Sequence, residues 1–395
     1  MTGGASEPAG SSSSGARPRP DFMAGINVEG DDVRDVPEKV VELLKPTPIR
    51  WVRVHLLPTR KLDDKGPNGT SYMDGLEHLC RNGYSVIAPI DVGYTENVGK
   101  VPADRIDAFI EESYDFSFKA SKRIAEVAER NGVGVIFGVE NEIDMKSWLL
   151  QSLPGVEWRG TFQTWAALAL DRGLRYRRLD NILKGTMEAV PGARTMTNLD
   201  AEDAMDAVED AVQHLTSKHQ ETLEKLSVPV GEVEDKLVDW RSELEYMKGK
   251  LSVDMIGLDS YPDYVFKYPV LGGEIALKVA DAQRISGKPV FNPEFGYSTY
   301  RNFLEKVLFG LSRRPGAEEM QLQFFRNALG AIGKTSSCGT FPWVLITHVD
   351  RRVMPAEEAY FGLFAMRGGT MVRRRAFDYY VEWLRSRTAA AQAES

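Results

Sequence analysis

Two glutamates close apolar runs at distant points of the chain. Glu140-Asn141-Glu142 ends VGVIFGVE, and Glu294-Phe295-Gly296 ends PVFNPEF. Other polar and aromatic residues close similar runs: Arg53 and His55, Asp91, Asn198 and Asp200, Tyr261, and Trp343. A pair of carboxyls with an arginine, a tyrosine and an indole suits the cleavage of a glycosidic bond. One carboxyl must give a proton to the departing oxygen. The other must be ionised, to attack or support an oxocarbenium-like carbon. Arg53 would keep one carboxylate charged, and Tyr261 would donate a hydrogen bond to the same group. Trp343 offers an apolar face to a sugar ring. His55, Asp91 and Asn198 are secondary candidates for contacts to substrate hydroxyls.

These residues need a scaffold that brings the ends of several runs together. Eight short runs rich in Val, Ile or aromatics read as buried strands: 22–28, 49–57, 84–92, 133–140, 193–199, 253–259, 289–295 and 340–347. Helical patterns lie between them, including a long one that stops at Asn131-Gly132, a usual C-terminal signal. Eight strands each followed by helix is the count of a (β/α)8 barrel, whose functional groups gather at the C-terminal strand ends. Strands four and seven face each other across such a barrel, close enough to hold the two carboxyls about 5 Å apart. A doubly wound open sheet also alternates, and the strand-end chemistry decides for the barrel.

The catalytic domain is expected over residues 21–388, between a Gly/Ser/Pro-rich tail at 1–20 and an Ala-rich tail at 389–395. Residues 201–251, between strands five and six, show no strand signal. Met205, Val208, Val212, Leu215 and His219 form one apolar stripe, and Val233, Leu237, Trp240, Leu244, Met247 and Leu251 a second. This pattern predicts a helical hairpin inserted into the barrel.

Several functions are excluded. A net charge of −8 carries no footprint for nucleic acid, and no run approaches the length of a membrane span. Two cysteines cannot make a disulfide framework, and no secretory signal is visible, so a cytoplasmic location is expected, with secretion left open. The segment ALGAIGKT (328–335) mimics a phosphate loop, but a helix precedes it and a strand follows, the reverse of the required order. Gly132, Gly134 and Gly138 lie in and before a strand, so the dinucleotide fingerprint fails. The five histidines lack HExxH spacing and there is no GxSxG, so neither a metal nor a cofactor is expected. Arg373–Arg375 reads as a solvated helix start.

Taken jointly, the motifs resemble those of the clan A retaining glycoside hydrolases. GVENEI is similar to that clan's strand-four signature, in wording nearest the endo-β-1,4-galactanases, and KPVFNPEFGYST to its strand-seven signature. WVRVH resembles the arginine-bearing second strand, IGLDSYPDY the tyrosine-bearing sixth, and FPWVLITHVD with YFGL (360–363) the eighth and its loop. The resemblance implies that Glu142 is the acid/base, Glu294 the nucleophile held ionised by Arg53 and Tyr261, and Asn141 a ligand of the sugar 2-hydroxyl. It implies a β-linked carbohydrate substrate and no cofactor. Departures are Pro293 before the nucleophile, Asp259 where asparagine is usual, and Glu140 as a second glutamate beside Asn141. A carbohydrate-binding barrel without turnover is the alternative. Sugar, linkage, endo or exo action and oligomeric state are left open.

Overall fold

The computed structural model describes residues 22–92, 101, 103–143, 172–201, 240–261, 272–299, 317–348, 360–367 and 370–394. Eight of the strands close into a barrel in chain order. They are β1 (Met23–Glu29), β2 (Trp51–His55), β3 (Ser85–Ile90), β4 (Val135–Val139), β5 (Arg194–Leu199), β6 (Met255–Leu258), β7 (Val290–Phe295) and β8 (Gly339–Pro342). Every neighbouring pair is parallel, including β1 with β8. Each strand has two buried faces, which is why the runs read as continuously apolar.

The two-residue alternation of a strand sorts its side chains into two sets. Val52, Val54, Val86, Ala88, Phe137 and Val139 pack outward under the helices. Met23, Ile87, Ile136, Met196, Met255, Phe291 and Phe341 form a separate cluster, the apolar filling of the barrel. Gly25 makes room for it, because a Cβ there would lie 1.9 Å from the Phe341 ring.

The helices are α1 (Gly30–Asp35), α2 (Pro37–Leu44), α3 (Tyr72–Arg81), α4 (Ile106–Arg130), α5 (Arg172–Ala189), α6 (Trp240–Lys248), α7 (Gly272–Ser286), α8 (Ala317–Ile332) and α9 (Arg375–Glu394). Ser71 and Asp74 form a capping box that starts α3. The long α4 ends at Asn131, followed by Gly132 at φ +64°, as its Asn-Gly ending predicts. One face of α4 carries Ser113, Ser117 and Ser121 at four-residue spacing, all fully buried. These small side chains let α5 lie close, with Ser121 Oγ 3.0 Å from Thr186 Oγ1.

Three expectations need comment. The run at 340–347 is two strands: β8 ends at Pro342, Trp343 N and Leu345 N still donate to the Phe295 and Asn27 carbonyls of β7 and β1, and a new strand begins at Ile346. β9 (Ile346–His348) pairs instead with β10 (Phe364–Arg367), which pairs with β11 (Thr370–Arg373) in a small second sheet. Of the expected hairpin, the stripe Met205–His219 lies outside the described residues. The end of the second stripe forms α6, with Trp240, Leu244, Met247 and Leu251 buried in the main core. Arg374, read as solvated, is buried and donates to the Tyr360 carbonyl.

Candidate active site

Alternation along β2 turns Arg53 inward between the outward-facing Val52 and Val54. Its guanidinium is fully buried. Nη1 donates to Glu294 Oε1 at 2.5 Å and to Asn27 Oδ1 at 2.8 Å, and Nη2 donates to Asn141 Oδ1. The Tyr261 hydroxyl donates to the other oxygen, Glu294 Oε2, at 2.6 Å. Burial by itself would raise the Glu294 carboxyl. Arg53 outweighs that, with help from the Tyr261 hydrogen bond, and holds it below the usual carboxylate range. Tyr261 is pushed well up, by burial first and then by Glu294, so it stays a donor.

The strand that carries Glu294 is irregular. Pro293 lacks a ladder donor, and the register between β7 and β8 shifts between Asn292 and Phe295. Two features hold it. Asn27 Nδ2 donates to the Pro293 carbonyl at 2.6 Å. Gly257 on β6 faces the Pro293 ring, where a Cβ would lie 2.5 Å from Pro293 Cγ and 2.8 Å from Asn198 Cβ. Only glycine permits that approach.

Glu142 follows β4, and one carboxylate oxygen from each of Glu142, Asp259 and Glu294 lies within 4.8 Å of the others. Asp259 is fully buried and its Oδ2 accepts from Asn198 Nδ2 at 2.6 Å. Burial, then the neighbouring Glu294 and Glu142, raise its carboxyl well above the usual carboxylate range. His55 Nε2 lies 3.8 Å from Glu294 Oε1, and its ring stands edge-on to Trp343 with centroids 4.0 Å apart. Burial, with Arg53 nearby, lowers its pKa to about 3, so the imidazole is neutral. Trp343 is itself nearly buried and packs with Val344, Phe361 and Tyr261.

Among the described residues, Glu142, Asp259 and Glu294 are the group whose spacing would admit a metal ion. The donor set fits poorly. Arg53 and Tyr261 already hydrogen-bond both Glu294 oxygens, and the buried Arg53 guanidinium beside them repels a cation.

The rim is strained. Leu56, Asp91, Glu140, Glu142 and Ala201, each just after β2, β3, β4 or β5, have φ between +47° and +63°. Such conformations cost non-glycine residues about 1–2 kcal/mol each and persist only where neighbours over-determine them. Asn198 fixes one side of the β4 loop: its Nδ2 donates to Asn141 Oδ1 at 3.0 Å and its carbonyl accepts from Ile143 N at 3.1 Å.

The structure thus gathers Glu142, Glu294, Asn141, Arg53, Tyr261, His55, Trp343 and Asn198. Two of the secondary candidates have protein partners. Asp91 is fully buried, with Arg60 Nε 2.7 Å from Oδ1 and Arg178 Nη2 3.2 Å from Oδ2. Asn198, also fully buried, donates through Nδ2 to Asn141 and Asp259. Glu140, the rival glutamate, pairs with Arg178. Arg60 and Arg178 went unnoticed in the sequence, since a helical arginine gives no local sign of pointing at a barrel rim. Asp259 had a signal, its unusual place upstream of Tyr261.

No helix among the described residues is long and apolar enough to cross a membrane. No family model and no curated protein matches the sequence. Solved structures do match. The β-glycosidase BGL167 aligns with a TM-score of 0.58 at 12% identity, over 94% of this chain and 97% of that one. The GH53 catalytic domain of Ignisphaera aggregans aligns with a TM-score of 0.51 at 15% identity, over 91% and 95%. The β-glucosidase of Thermotoga maritima, in complex with deoxynojirimycin, aligns at 0.53 and 12% identity, over 91% and 97%. With its closed parallel barrel, the chain shares the (β/α)8 fold of these glycosidase structures over nearly its whole length.

Proposed function

We propose that the protein is a glycoside hydrolase that cleaves β-glycosidic bonds with retention, through Glu142 and Glu294. The observation that carries this reading is the nearness of the two carboxyls, one oxygen of Glu142 lying within 4.8 Å of one oxygen of Glu294. Retaining enzymes hold the pair about 5–5.5 Å apart, whereas inverting ones leave about 6.5–9.5 Å for a water. The asymmetry of the pair supports the roles. Glu294 is held ionised by Arg53 and Tyr261.

In the first step Glu294 attacks the anomeric carbon while the bond to the leaving oxygen breaks and takes up the Glu142 proton. The product is a glycosyl ester of Glu294. In the second step Glu142, now a carboxylate, takes a proton from water, whose oxygen attacks the anomeric carbon and releases Glu294. Arg53 and Tyr261 stabilise the carboxylate before attack and after release. Asn141, whose Oδ1 accepts from Arg53 and Asn198, would offer its amide N–H groups to the sugar 2-hydroxyl. Trp343 would form the platform under the ring. The β-glucosidase with deoxynojirimycin, a likeness in fold, supports a carbohydrate as the substrate class.

The test is a screen of aryl β-glycosides and β-linked polysaccharides, with Glu294→Gln as the inactive control. Glu142→Ala should keep its first step on an activated aryl glycoside, accumulate the glycosyl ester, and with azide yield a β-glycosyl azide. An α-glycosyl azide would overturn retention. Binding of oligosaccharides with no turnover of any glycoside would instead favour a pseudo-glycosidase.

A further inference from the structure

We propose that Arg178 is a positioning residue that aims the Glu142 carboxyl, acting through the strained backbone between β3 and β4. The inference rests on the glycosidase reading of Glu142 and goes beyond it. Arg178 lies on α5, which packs along the serine face of α4, and is 5% exposed. It donates to the carboxylate of Glu140, to the backbone carbonyl of Asp91 and to Asp91 Oδ2. One guanidinium therefore clamps the residues that leave β3 and β4, and both of those residues have left-handed φ, +52° and +63°. Glu142, two residues further on, shares that conformation at +47°.

Left-handed backbone at side-chain-bearing residues relaxes unless something holds it. A planar fork reaching a carboxylate and a carbonyl on different strands is suited to hold it, and a lysine ammonium is less so. The clamp is itself anchored. Arg60 pairs with the other oxygen of Asp91 and lies over the rings of Phe109 and Phe116, at 4.5 and 4.1 Å. On the far side of the loop Asn198 holds Asn141 and Ile143. Without Arg178 the loop keeps that side and loses this one, so Glu142 swings while Glu294, on β7, stays with Arg53 and Tyr261.

That asymmetry sets the test. A misplaced proton donor harms substrates with poor leaving groups and spares activated ones; general damage to the fold harms both. For Arg178→Met, kcat on an alkyl or disaccharide β-glycoside should fall about a hundredfold, within the range of general acid–base effects. The fall in first-step rate on a dinitrophenyl β-glycoside should be under about fivefold by comparison, with KM on that substrate lowered as the glycosyl ester accumulates. Azide should speed the variant on the activated substrate, and Arg178→Lys should recover part of the loss. Glu140→Gln keeps the shape of the loop and leaves fewer unpaired charges. It should show the same leaving-group pattern in weaker form and keeps the test alive if Arg178→Met does not fold. Equal losses on both substrates in a folded variant would overturn the inference while leaving the glycosidase reading intact. Absence of any wild-type turnover would instead overturn that reading.

Discussion

At the scale of single residues, the site is governed by how one buried guanidinium distributes its donors. Arg53 meets Glu294, Asn27 and Asn141 with two nitrogens, and burial of Glu294 is tolerable only because of it. Arg53→Met should let burial drive the Glu294 carboxyl upward. The acid limb of kcat/KM would then move up, as pH profiles on an activated glycoside can check. An unmoved limb would contradict the assigned role. His55 gives a second pH dependence, in stability. Its ordinary pKa of 6.5 falls to about 3 in the fold, so between those values the unfolded chain binds a proton that the native state refuses. Stability is therefore present above pH 6.5 and is lost as pH falls, by roughly 3 kcal/mol at pH 4. His55→Gln should flatten this part of the curve of unfolding free energy against pH. An equal slope in both proteins would show that His55 is not the group responsible.

At the scale of elements, the close approach of β5, β6 and β7 at Gly257 is the most sensitive point. Gly257→Ala would push its Cβ against the Pro293 ring and Asn198. Overpacking of this kind costs about 1–3 kcal/mol. Since Pro293 precedes Glu294, displacement near 1 Å should also lower kcat by about a hundredfold. Denaturant titration and steady-state kinetics measure the two effects, and full activity would mean that β7 does not depend on this packing. Most elements were legible in the sequence, because two-faced burial leaves a run of apolar residues whatever the neighbours are. The eighth run was not: 340–347 is apolar throughout, yet its end from Ile346 pairs with β10, a partner some twenty residues on that the run itself does not announce.

At the scale of the molecule, closure of the barrel predicts one cooperative unit spanning the described elements. Cys80 on α3 and Cys338 before β8 are both buried, and burial pushes their thiols up to about 12 and about 11. Neither should react with a thiol reagent in the native protein, and both should label at one common rate as denaturant opens the fold. Distinct rates would show that the two regions open separately. Fast native labelling of either would contradict its burial.

The sequence alone pointed to the barrel and to Glu142 and Glu294 at its strand ends, because strand periodicity and residue type are local properties. It also supplied Arg53 and Tyr261 as companions of Glu294. Only the tertiary structure decided that Asp259 joins the pair as a buried third carboxyl, and that Asp91 and Asn198 are fully buried among partners of their own. Arg178 belongs to the same class. Each of these depends on distances across strands far apart in the chain, and on the loss of water around the group, neither of which a residue's own neighbours in sequence record.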